Sequence, residues 1–224
     1  VGQAPPHPGA FANARTFGWR ALLKIKHTPE QLFDVVVTPI MFTVLFTYMF
    51  GGAIAGSPDA YLQFLLPGIL VQTVLFTSIY TGVTLSGDIT KGVFDRFRSM
   101  PIWKPAPIVG AMVGDTGRYT ASAVIVVGLG YVMGFRPESG LAGVVLSIVM
   151  LNAFAFGIGW IFTTLGLVLR TPATVMTMSW LILMPLTFAS NIFVDPATMP
   201  GWLQAFVAVN PVSLLVTAVR GLMD

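Results

Sequence analysis

The chain has 224 residues, of which 55% are hydrophobic and only 9% charged, and its mean hydropathy is +0.81. A soluble domain carries about 25% charged residues, so an ordinary soluble fold is excluded and an all-α polytopic membrane protein is expected. Cysteine is absent, which removes a disulfide framework and a thiolate metal site, and the net charge of +3 is accounted for by membrane topology without nucleic acid.

In chain order, residues 1–10 read as a disordered leader. The first residue is Val1 and no secretory signal precedes the first apolar run, so the native start is expected upstream. From Phe11 to Lys26, apolar Phe11, Trp19, Leu22, Leu23 and Ile25 alternate with Arg15, Arg20, Lys24 and Lys26. This pattern suits an amphipathic connecting helix on the membrane surface, with a solvated juxtamembrane segment as the alternative. Pro29 separates it from the membrane domain, which is taken as residues 31–224.

Five spans are expected: Leu32 to Phe50, with Asp34 near its polar end and Pro39 inside it; Leu62 to Ser86; Ile108 or Tyr119 to Phe135; Leu141 to Leu169; and Ala173 to Val194. The start of the third is ambiguous because Asp115 and Arg118 are expected at the cytoplasmic edge. Asp195 to Asn210 has an amphipathic middle around Trp202, Leu203 and Phe206 and is expected to dip into the outer interface. Val212 to Met223 is too short to span, so a sixth span is expected but missing. Gly110 with Gly114, and Gly130 with Gly134, have the spacing that lets helices approach closely, or that arises by chance in a glycine-rich chain.

The long polar interruption is 87–107. Asp88 is expected to cap a helix that Pro101 closes, with Val93, Phe94 and Phe97 on one face and Asp88, Lys91, Asp95 and Arg98 largely elsewhere. Gly92 inside it marks a close approach or weakens the helix. Such a helix can dock its phenylalanines in a partner's groove, or lie on its own bilayer. With the N-terminus in the cytoplasm, ten of the twelve Lys and Arg residues fall inside, leaving Arg136 and Arg220 for the other face.

The chemistry present is sparse. No G-x-x-x-x-G-K-S/T phosphate loop occurs, so the chain has no usual means of binding ATP by itself, and His7 and His27 both precede the spans. Ionisable residues are nearly absent from the spans, Asp34 standing near a boundary, which disfavours an ion-coupled carrier or a paired-aspartate hydrolase. Gln72, Thr73, Thr77 and Ser78, Asn152 with Gly157 and Gly159, and Thr177 with Ser179 are weakly polar among many aromatics and methionines. They either line a path for a large apolar solute or bond helix to helix. An energy source must come from outside the chain. A membrane scaffold that recruits a cytoplasmic partner is the alternative function.

The segment DITKGVFDRFRSMP, Asp88 to Pro101, resembles the acidic-x-x-basic-Gly-x-aromatic/aliphatic-acidic-Arg segment between spans two and three of ABC-2 type exporter permeases. Pro185 to Arg220, containing SNIFVDPATMP, GWLQ and NPV, is similar to the end of span five and the extracellular loop of their daunorubicin-resistance branch. The resemblance implies an ABC-2 permease fold that pairs with a second permease chain and with a separate cytoplasmic ABC ATPase. That ATPase would bind ATP and Mg, no cofactor belonging to this chain. It also implies hydrophobic drug, polyketide or lipid substrates, and coupling to the ATPase through Asp88, Lys91, Gly92, Phe94, Asp95, Arg96, Phe97 and Arg98. Gln72, Thr73, Phe76, Asn152 and Phe156 are the candidate substrate path, and Asn191, Phe193, Trp202, Asn210 and Pro211 the candidate extracellular gate.

Overall fold

The computed structural model of the chain describes residues 29–93 and 106–224, with side chains described at 36–93 and 108–224. The leader, the connecting helix, the Asp34 side chain, both histidines, and Phe94, Asp95, Arg96, Phe97, Arg98 and Pro101 lie outside the described residues. Among the described residues seven α-helices follow one another: α1 Pro29–Ala55, α2 Pro58–Thr90, α3 Ala106–Met133, α4 Gly140–Val168, α5 Pro172–Phe188, α6 Gly201–Val209 and α7 Pro211–Met223. A 3-10 helix, Pro196–Thr198, precedes α6, and no strand occurs among the described residues.

Each expected span overlaps one of the helices α1 to α5, the fifth only as far as Phe188. Within them Val36–Ala55, Pro58–Thr90 and Gly140–Val168 are long and apolar enough to cross a membrane by themselves. Because α5 has 17 residues, it reaches roughly 25 Å at 1.5 Å per residue. Helices α6 and α7 pass the same test only as a pair bent by 75°.

The protein is built around α2. In its most apolar stretch 83% of the residues are buried, against 22% in α1 and 28% in α4. It packs on α1, α3, α4, α5 and α7. The tightest of these crossings is with α4, where a Cβ on Gly82 would run into the Phe162 carbonyl and one on Gly166 into the Gly82 carbonyl. Two glycines on different helices therefore let the backbones touch. Of the four glycines singled out by spacing, Gly130 lies against Leu66 and Gly110 and Gly114 are buried. Gly134 instead ends α3 at a φ of +103°, a conformation that suits glycine.

Two boundaries differ from expectation. Asp88 starts no helix: α2 runs through it to Thr90, and the chain turns at Lys91 and Gly92. The Lys91 N–H donates to the Gly87 carbonyl, and Gly92 has a φ of +69°. Backbone hydrogen bonds do not weaken where side chains become polar, so the helix continues past the end of its apolar stretch. The fifth apolar run also breaks early. Helix α5 stops at Phe188, and residues 189–194 form a non-helical strap.

The helices alternate in direction. α2 begins at what may be called the upper end, together with the end of α3 and the start of α4: Gln63 Nε2 donates to the Gly134 carbonyl at 3.2 Å. At the lower end, Pro172 at the start of α5 lies beside Gly87 of α2. Both ends of α7 are held at the upper end. Asn210, just before it, donates to the Leu186 and Ala189 carbonyls at 2.8 and 2.7 Å. At its other terminus, Ser139 Oγ donates to the Leu222 carbonyl at 2.7 Å. Helix α7 thus lies across the bundle end and does not run down through it.

Candidate functional site

A cavity of about 280 Å³ lies between α1, α2 and α5. α2 contributes Ile69, Gln72, Thr73, Phe76, Thr77, Ile79 and Tyr80, mostly at three- and four-residue spacing, which is one helical face. The α5 wall is a strict four-residue stripe, Met176, Trp180, Met184 and Phe188, and α1 supplies Thr38, Pro39 and Phe42. Phe76 and Trp180 meet edge to face with centroids 4.7 Å apart. Thr73 Oγ1 donates to the Ile69 carbonyl at 2.8 Å and Thr77 Oγ1 to that of Thr73 at 2.7 Å. Both hydroxyls are thereby satisfied within α2. Gln72 makes no side-chain hydrogen bond among the described residues and is the polar handle of an otherwise apolar, methionine- and aromatic-rich wall. Such a surface suits a large apolar solute with a carbonyl or hydroxyl.

Of the five residues expected on a substrate path, the structure brings Gln72, Thr73 and Phe76 together here. Asn152 and Phe156 are elsewhere. The Asn152 amide donates to Thr120 Oγ1 at 3.1 Å and to the Ile148 carbonyl at 2.8 Å, joining α4 to α3. Phe156 stands edge-on to Trp160 on the exposed side of α4. The sequence reading missed the α1 and α5 walls. For α5 a signal existed, since Met176, Trp180, Met184 and Phe188 repeat every four residues.

The upper end of the groove is closed by phenylalanines. Phe193, on the strap, stacks on Phe46 of α1 at 4.7 Å and on the groove residue Phe188 at 5.3 Å. The Tyr61 hydroxyl donates to the Phe193 carbonyl at 2.9 Å. Asn191 Nδ2 donates to Thr217 Oγ1 at 2.8 Å, and the Asn210 side chain also accepts from the Val212 N–H, capping α7 with Pro211 in its first turn. Four of the five expected gate residues therefore lie at the upper end, Asn191 and Phe193 on the strap and Asn210 and Pro211 at the start of α7. Trp202, on α6, is 74% exposed.

Toward the lower end lie Asp115 and Arg118, expected at the cytoplasmic edge. They stand nine and twelve residues inside α3, buried, with Arg118 Nη2 3.3 Å from Asp115 Oδ1. Thr81 of α2 donates to Asp115 Oδ2 at 2.6 Å. Its hydroxyl proton is thus committed, and the 2.8 Å contact with Tyr119 must be a bond donated by the Tyr119 hydroxyl. The Arg118 guanidinium lies 6.0 Å from the ring centroid of Tyr80, a groove residue. The helical spacing of three carried the signal for this pair.

Of the expected coupling residues, Asp88 is half-buried in the last turn of α2, Lys91 is exposed at its cap, and Gly92 turns the chain. Exposed Arg170 and Thr171 stand beside them, since Pro172 adjoins Gly87. Among the described residues no three His, Cys, Asp or Glu side chains gather where they could hold a metal.

Residues 13–223 match the family described as ABC-2 type transporter. The chain is 48% identical over 223 residues to the daunorubicin resistance ABC transporter permease protein DrrB1 of Streptomyces coeruleorubidus, an alignment that covers 100% of this chain and 79% of that protein. It is 24% identical over 222 residues to the probable doxorubicin resistance ABC transporter permease protein DrrC of Mycobacterium tuberculosis, covering 96% of this chain and 80% of that one. Over 209 residues it is 25% identical to the putative transport permease ycf38 of Cyanophora paradoxa, covering 90% and 70%.

Proposed function

The chain belongs to the ABC-2 type transporter family, and on that premise we propose that it is the permease subunit of an ATP-driven exporter that moves a hydrophobic drug, polyketide or lipid out across the cytoplasmic membrane of a bacterium. The observation that carries this reading is the groove between α1, α2 and α5: an apolar wall with one free amide, Gln72, and an aromatic closure at one end. Drug-resistance permeases among the relatives support the substrate class.

In this reading the upper end faces outward, the lower end faces the cytoplasm, and the N-terminus is cytoplasmic. The distribution of basic residues supports that orientation. A separate ABC ATPase binds ATP and Mg and docks on the segment that begins at Asp88, Lys91 and Gly92 and continues through Phe94, Asp95, Arg96, Phe97 and Arg98. A second permease chain, identical or related, completes the transporter within the lipid. Gln72, Thr73 and Phe76 contact the solute, and Asn191, Phe193, Asn210 and Pro211 build the outer gate.

Purification of the chain from its native membrane, with its associated subunits, tests this. Recovery of an ATPase whose turnover rises with a lipophilic compound is expected. In that complex Phe94→Ala with Phe97→Ala weakens ATPase docking by roughly tenfold or more, as loss of interface aromatics commonly does. Co-purification undiminished by the double substitution removes the docking role, and repeated recovery without any ATPase removes the exporter.

A further inference from the structure

We propose that Arg220 is the latch that keeps the strap 189–194 closed over the upper end of the groove, acting as a positioning residue for the release of solute. The proposal rests on the transport reading, since a latch has meaning only if something passes.

The strap forms no helix: Ser190 makes a local turn with Thr187 and Ile192, and Ile192 is buried against Gly68 of α2. Its alternate carbonyls are each bound by a side chain from another element: that of Ala189 by Asn210, that of Asn191 by Arg220, and that of Phe193 by Tyr61. Of the three donors only Arg220 is charged, and only Arg220 joins the strap to α2 and α7 at once. One Nη2 reaches the Asn191 carbonyl at 3.2 Å and the Phe64 carbonyl at 3.0 Å, and the guanidinium lies 3.9 Å from the Phe64 ring centroid. The Arg220 Nε is buried and unpartnered among the described residues. The Asp224 and Asp195 carboxylates act on this half-buried cation without being bonded to it among the described residues, and it is costly unless its hydrogen bonds are kept. Filling space alone would favour an apolar residue; the planar guanidinium is suited to bind carbonyls from two elements while stacking on a ring. What it fixes is Phe193, which sits two residues beyond Asn191 and covers Phe188 of the groove. Freeing the Asn191 carbonyl lets the strap lift and takes Phe193 from the groove mouth.

Because the chain contains no cysteine, a single introduced thiol reports the opening directly. Gln72→Cys places it in the groove, and a membrane-impermeant maleimide is added to membranes made accessible on both faces. Glu138→Cys, in the exposed turn at the same end, is the control. Arg220→Met is expected to raise the Gln72→Cys labelling rate about tenfold, the scale of losing charge-assisted hydrogen bonds. It should leave Glu138→Cys labelling unchanged, and Arg220→Lys should fall between Met and Arg. An unchanged Gln72→Cys rate overturns the latch. Equal rises at both thiols, or loss of the Arg220→Met chain from the membrane with Arg220→Lys no better, also overturn it, because Arg220 would then hold the fold as a whole. The measurement uses neither the ATPase nor a transported solute. Solute-stimulated ATP hydrolysis is measured separately on the complex with Gln72 intact: its absence beside faster labelling leaves Arg220 as a restraint on the strap and removes the exporter reading, while unchanged labelling beside stimulated hydrolysis removes the latch alone.

Discussion

Two arginines are packed against opposite ends of α2, and they are held in different ways. Arg118 pairs with Asp115 one turn away on the same helix, and Thr81 and Tyr119 extend the network between α3 and α2. Arg220 binds backbone carbonyls 156 and 29 residues distant in sequence and stacks on a phenylalanine. The first charge carries a counter-ion with it on the same helix. The second belongs to no single element, and any shift of the strap, α2 or α7 breaks it. Local pairing suits a joint that stays closed through a working cycle, whereas carbonyl binding across three elements suits a closure that opens.

The comparison breaks most sharply at Asp115. Asp115→Ala leaves Arg118 buried without its carboxylate, and removing one member of a buried pair costs about 3–5 kcal/mol. Membrane accumulation should collapse and the melting temperature of the detergent-purified chain should drop. Asp115→Asn combined with Arg118→Met removes both charges and should restore most of the accumulation; if the double variant is as poor as the single one, the pair does not act as a self-neutralising unit. A smaller effect is expected at the opposite end. Tyr61→Phe deletes one hydrogen bond to the Phe193 carbonyl, worth about 1 kcal/mol. A modest fall in melting temperature, with faster labelling of a groove thiol, is the outcome to look for, and unaltered labelling would mean that Tyr61 does not restrain the strap. Least of all should follow from Thr73→Val, because that hydroxyl serves only the Ile69 carbonyl of its own helix. A shift within about 0.5 kcal/mol is expected. A loss of transport with unaltered stability would instead show that the hydroxyl turns toward solute.

Much of the helical layout is legible in the sequence because the bilayer imposes it. Runs of twenty or so apolar residues must satisfy their backbone internally, so α1, α2 and α4 follow from hydropathy. The boundaries at Asp88 and near Val194 are less legible. Hydropathy reports where side chains are comfortable, while α2 persists to Thr90 through backbone bonds, and the last residues of the fifth apolar run form the strap. The site divides along the same line. Gln72, Thr73 and Phe76 stand out as a face of one helix, and SNIFVDPATMP and NPV stand out as motifs. Asn152 reads equally well as lining or packing from its sequence context, and only its bond to Thr120 assigns it to packing.

The sequence by itself determined the class of the protein: a helical membrane chain with no phosphate loop, no cysteine and few internal charges, bearing the segments that mark its family. Those properties are local sums of transfer free energy and short motifs, readable without knowing which helix touches which. Only the tertiary structure decided that α2 is the buried axis, that Gly82 faces Gly166, that α5 lines the groove, that Asp115 and Arg118 lie buried among helices, and that Arg220 is half-buried against α2. Each of these depends on pairs far apart in the chain. In a sequence apolar on nearly every face, periodicity does not distinguish the side of a helix that meets protein from the side that meets lipid.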